Sequence, residues 1–83
     1  MVQPLLLVVN PYAGGGRIAD ALPLVTRALR SRGVAYEVQQ AAGFHALAET
    51  AERGSRAGFP AVVAVGGDGT VNAVANGVMR AGG

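Results

Sequence analysis

Residues 61–77 read Ala-Val-Val-Ala-Val-Gly-Gly-Asp-Gly-Thr-Val-Asn-Ala-Val-Ala-Asn-Gly. The first five are uniformly apolar. Beyond the glycines, Val71, Val74, Ala75 and Val78 recur at helical spacing. This is the pattern of a buried strand, a glycine-rich turn and the start of a helix. Paired glycines let the backbone come close to a ligand and adopt dihedrals closed to other residues. The amides of such a turn, with the helix N-terminus behind them, suit anionic oxygens. Asp68 puts a carboxylate in the middle of that phosphate-sized site. It would repel phosphate unless it holds a metal ion, caps the helix or takes a proton from an attacking hydroxyl.

Working outward, the chain reads as three repeats of strand, turn and helix. Leu5–Val9 is a continuous apolar strand of the kind buried on both faces of a parallel sheet. The loop Asn10–Gly16 follows. Ile18, Leu22, Val25 and Leu29 then mark one face of a helix that ends at Gly33. Pro23 is expected to kink that helix or reset its first turn. Val34–Gln39 reads as a second strand, Gln40–Phe44 as a loop, and His45–Ala57 as a second helix on Ala46, Leu47, Ala48 and Ala51. Gly58-Phe59-Pro60 breaks the chain before the third strand. Alternation with short loops predicts an α/β fold: a three-layer parallel sheet with flanking helices and right-handed crossovers. Strand order 2-1-3 would set the glycine loops after the first and third strands side by side, at the switch point where such sheets bind ligands.

Composition narrows the chemistry. Eighty-three residues make one small domain, and 51% hydrophobic residues make it a folded one. The chain has no cysteine and a single histidine, which excludes disulfides and argues against a His/Cys zinc site. A net charge of +2 is too small to point to nucleic acid. All seven basic residues are arginine, so the lysine of a GxxxxGK[ST] phosphate loop is missing. No targeting segment or run of transmembrane length is present, and a cytoplasmic location is expected.

Gly66-Gly67-Asp68-Gly69-Thr70 resembles the GGDGT loop of the diacylglycerol kinase catalytic-domain family, which includes bacterial lipid kinases and sphingosine kinases. Asn10-Pro11-Tyr12-Ala13-Gly14 matches the family's N-P-x-x-G motif at the end of the first strand. The GGDG core is shared with NAD kinases and phosphofructokinases. Thr70-Val71-Asn72, Asn76-Gly77 and the upstream Asn10-Pro11 favour the lipid-kinase branch. The chain departs from the family pattern at Ala73, where relatives commonly carry Glu. It departs again at Gln40-Ala41-Ala42, where many carry a nucleotide-contacting Thr. Phe44-His45-Ala46 stands where a Gly-His-Ala is frequent.

The resemblance implies an N-terminal, nucleotide-binding portion of an NAD kinase/diacylglycerol kinase-like domain, spanning residues 1–83. Its activity would be ATP-dependent phosphorylation of a lipid hydroxyl, with ATP and Mg²⁺ as cofactors. Asp68 would be the catalytic residue, as base toward the hydroxyl or through Mg²⁺. Asn10, Pro11, Gly14, Gly15, Arg17, Gly66, Gly67, Gly69, Thr70 and Asn72 would contact the nucleotide, and no residue is assigned as a standing metal ligand. The lipid acceptor, diacylglycerol or sphingoid-like, is expected to need the family's C-terminal domain, so the isolated chain is expected to be inactive. Peripheral membrane contact and self-association through the exposed edge of the third strand follow as expectations. The alternatives are a non-catalytic nucleotide-binding remnant or interaction module, and an NAD kinase-like fragment.

Several of these residues also carry plainer readings. Asn10 and Pro11 suit a turn that stops a strand. Asp68 and Thr70 suit helix N-caps, and Asn72 and Asn76 suit paired polar surface. Gly14-x-Gly16-x-x-Ala19 has the spacing of a dinucleotide-binding fingerprint. However, Asn10–Ala13 separates it from the strand, and Gln39 and Gln40 stand where an acidic residue is required. A phosphate-proximal loop fits better.

Overall fold

A computed structural model describes residues 3–82. Three strands alternate with three helices: β1 (Leu5–Val9), α1 (Arg17–Ser31), β2 (Tyr36–Gln40), α2 (Phe44–Arg56), β3 (Val62–Val65) and α3 (Asp68–Arg80). A short 3-10 segment, Ala13–Gly16, joins β1 to α1. The sheet is parallel in the order β2-β1-β3, the α/β topology expected from the sequence.

β1 is the centre of the molecule. It bonds to β2 along one edge and to β3 along the other. Both ladders run past the strand ends: Ala41 N–H donates to Val9 O at 2.9 Å, and Asn10 N–H donates to Val65 O at 3.1 Å. Leu6 and Val8 face α2 and α3, where they form the core with Leu47, Ala51, Ala73 and Val74. Leu7 and Val9 point to the opposite face and are just as buried. The crossover from β1 to β2 moves one way across the sheet and that from β2 to β3 moves back. Right-handed connections therefore put α1 and α2 on opposite faces. This is why β1 is apolar at every position whereas the edge strand β2, Tyr-Glu-Val-Gln-Gln, is not.

The two helices on the core face touch closely because their contact residues are small. A side chain on Gly77 would run into the backbone carbonyl of Ala48, with the Ala51 methyl 2.9 Å away. A side chain on Gly54 would overlap Leu6. α3 turns Thr70, Ala73, Val74 and Gly77 inward. Val71 and Ala75 lie on the exposed side, and Val71 is bulkier than the Ala73 and Gly77 that face inward. Ala73 is fully buried, so a carboxylate at this position would be enclosed in the core.

Other departures from the sequence reading have local causes. β2 begins at Tyr36, two residues later than the pattern suggests. Gly33 ends α1 in a left-handed conformation, φ 70°. Its N–H bonds to Arg30 O, and the next N–H, from Val34, bonds to Leu29 O. Val34 is thus consumed by the helix cap. α1 continues through Pro23 without a break, the proline lying on its exposed side. α2 starts one residue earlier than expected and stops at Arg56, one residue before Ala57.

Replacing Gly77 by Ala should destabilise the chain by about 1–3 kcal/mol, since the methyl meets rigid backbone. For a domain of this size each kcal/mol lowers Tm by roughly 4–8 °C. Thermal unfolding followed by circular dichroism measures this; an unchanged Tm would show that the α2–α3 contact is looser than described.

Candidate functional site

All three strands end at the same side of the sheet, and three loops meet there. After β1, the Asn10 side-chain oxygen accepts a hydrogen bond from Tyr12 N–H at 3.1 Å, and Ala13 N–H donates to Asn10 O at 3.2 Å. Asn10 therefore stops the strand with a local turn. Gly14, Gly15 and Gly16 follow with φ of 64°, 67° and 93°. Three successive left-handed residues would cost L-amino acids about 1–2 kcal/mol each, so this run is fixed by backbone geometry. The Arg17 side chain packs beside Gly14.

After β3, the glycines divide into two kinds. A side chain on Gly66 would collide with buried Thr70, whose Cβ lies 2.7 Å from the added atom. Gly67 is extended, φ −89° and ψ −168°, and serves as the N-cap of α3. A Cβ on Gly67 or on Gly69 meets nothing within 4 Å. The fold explains glycine at 66 by packing, and it has no such demand at 67 or 69. No side chain caps α3. Neither Asp68 nor Thr70 is the N-cap: they are the first and third residues of the helix. The first intrahelical bond is Val71 N–H to Gly67 O at 3.1 Å. The amides of Asp68, Gly69 and Thr70 precede it and have no acceptor within the helix.

The loop after β2 ends at Gly43, φ 87°, the N-cap of α2, again without a side-chain cap. Between the three loops lies a cleft of about 370 Å³, lined by Asn10, Ala13 and Gly14 from the first, Gly43, Phe44 and Leu47 from the second, and Gly67, Gly69 and Thr70 from the third. It is larger than the hollows beside Phe59 and beside Pro11, and it sits outside the carboxyl ends of the strands, where open α/β sheets bind ligands.

Of the residues singled out in the sequence, Asn10, Gly14, Gly67, Gly69 and Thr70 line this cleft together. Gly66 lies under Thr70. Asp68 is exposed between the two open glycines. Gly15, in the first loop, and Arg17, the first residue of α1, are exposed and outside the lining. Pro11 lies in a separate hollow of about 230 Å³ with Tyr12, Gln40, Ala41 and Ala42. Asn72 is exposed on α3, and its carbonyl accepts a bond from the Asn76 side chain at 2.8 Å. The sequence reading did not assign Gly43, Phe44 or Leu47 to the site. Only the topology, which brings every strand-to-helix loop to one side, marks them. Among the described residues no three His, Asp or Glu side chains cluster as a metal site, and no helix is long and apolar enough to cross a membrane.

The family model described as the diacylglycerol kinase catalytic domain matches residues 4–83. The chain belongs to this family. The domain is thus of the kinase type, built for phosphoryl transfer. Among curated proteins none matches the chain.

Because nothing in the fold requires Gly69, Gly69→Ala should raise stability, by up to about 1 kcal/mol from helix propensity. A lower Tm by differential scanning calorimetry would show that Gly69 serves packing after all.

Proposed function

We propose that this chain supplies the ATP-phosphate-binding part of a lipid kinase, a domain that transfers the γ-phosphoryl group of ATP to a lipid hydroxyl. The observation that carries this reading is the cleft itself. Two helices begin at it with glycine caps and unpaired first-turn amides, and its wall includes two glycines that the fold does not need. Backbone amides aimed at an open, side-chain-free surface suit phosphate oxygens.

ATP phosphates would rest on Gly67, Gly69 and Thr70 from one side and on the Gly14 loop from the other, with Arg17 near enough in sequence to neutralise charge. Asp68 follows as the base. The acceptor hydroxyl gives its proton to the Asp68 carboxylate while its oxygen bonds to the γ-phosphorus. The bond from that phosphorus to the β,γ-bridging oxygen breaks, and ADP leaves. Phosphoryl transfer needs mainly positioning and charge neutralisation. In the other role open to it, Asp68 would act through Mg²⁺, which kinase sites hold through one or two carboxylates and the nucleotide's own phosphates: Asp68 would provide the carboxylate, and the ion would supply charge neutralisation. The acceptor is diacylglycerol or a sphingoid-like alcohol in this reading, met at a membrane surface.

Isothermal titration with Mg·ATP tests the phosphate wall. Valine at position 67 has room, so Gly67→Val should fold, at a capping cost of about 1 kcal/mol, and should lose the binding heat of the wild type. Equal heats would contradict the proposal. Asp68→Asn tests the base: with no hydrogen bond to lose, folding should change by less than about 1 kcal/mol. With the chain joined to the family's C-terminal domain, phosphoryl transfer should fall roughly 10²-fold or more, and full turnover would remove Asp68 from the chemistry.

A further inference from the structure

The cleft contains one side chain that neither the phosphates nor the core uses. Phe44 is the first residue of α2 and lines the cleft together with Gly67 and Gly69. It is 42% exposed, although α2 has its own buried set in Leu47, Ala48 and Ala51. Phe44 is absent from the hydrophobic core. Its ring is steadied by His45, edge to face, with centroids 6.0 Å apart and planes at 89°. That contact covers at most one face of the phenyl ring.

An aromatic ring held at the mouth of a phosphate-sized cleft, with a face free, matches what a nucleobase requires. Base-on-aromatic stacking strengthens binding about ten-fold or more and tolerates any base, since each has a π-face. We propose that Phe44 is the stacking platform for the base of the nucleoside triphosphate whose phosphates lie on the Gly67–Gly69 wall. This rests on the phosphate-binding reading above and adds the subsite that distinguishes a nucleotide from a bare polyphosphate. The cleft's volume of about 370 Å³ lies within the range of small-molecule sites and leaves room beyond the phosphates.

The test compares Mg·ATP with Mg·tripolyphosphate, which has the phosphates and no base. Wild type should bind both, ATP more tightly. Phe44→Ala should weaken ATP about ten-fold, the span of one stacking contact, and leave tripolyphosphate unchanged. The sequence has no tryptophan, so Phe44→Trp adds a single reporter that keeps an aromatic ring in place. Its emission should change with ATP and stay constant with tripolyphosphate. Four results would overturn the inference: ATP binding unaffected by Phe44→Ala, equal loss of both ligands, tryptophan emission indifferent to ATP, or wild type binding ATP no better than tripolyphosphate. A wild type that binds neither ligand would overturn the phosphate site itself, and the base subsite with it.

Discussion

β1 is the constraint on which the rest depends. It is hydrogen-bonded on both edges and buried on both faces, so its five residues have no freedom in register or orientation. The two ladders fix where β2 and β3 end relative to β1. Since the strands are parallel, all three following loops emerge on one side. Crossover handedness then sends α1 to one face and α2 to the other, where α3 packs against α2. The cleft results from these placements, and no loop reaches it alone.

Glycine serves three separate purposes in this small chain, and the structure tells them apart. Gly14, Gly15 and Gly16 answer a dihedral requirement. Gly54, Gly66 and Gly77 answer a packing requirement, being pressed against Leu6, Thr70 and the Ala48 backbone. Gly67 and Gly69 answer neither. In the proposed reading their purpose is to leave open backbone that a phosphate can approach, at a cost in chain entropy. That residual pair flanks Asp68, the one carboxylate at the site.

Much of this was legible in residue patterns. The apolar run Leu5–Val9 and the break at Gly66–Gly69 signalled buried parallel strands feeding glycine turns, and setting the two glycine loops side by side called for the order 2-1-3. Boundaries were less legible where capping competed with strand pattern, as at Val34. The inward face of α3 was legible in part: Val74 is buried and Val78 packs against the core, but apolar spacing also marks Val71 and passes over Ala73 and Gly77. Close helix contact reverses that preference, turning Ala73 and Gly77 inward and Val71 outward. Site residues contributed by backbone amides were visible as glycines. Phe44 was not, because only the crossover of α2 above the sheet carries the second loop to the other two, and no local periodicity records that.

The central claim is that three loops, distant in sequence, form one nucleotide site. Amide chemical shifts in a ¹H–¹⁵N spectrum during titration with Mg·ATP test it most directly. The account predicts that Gly14–Arg17, Gly43–His45 and Gly67–Thr70 shift together along one binding curve, while the far ends of the strands stay still. Shifts confined to one loop, or centred on the hollow around Glu37 and Phe59 at the opposite end of α2, would contradict it.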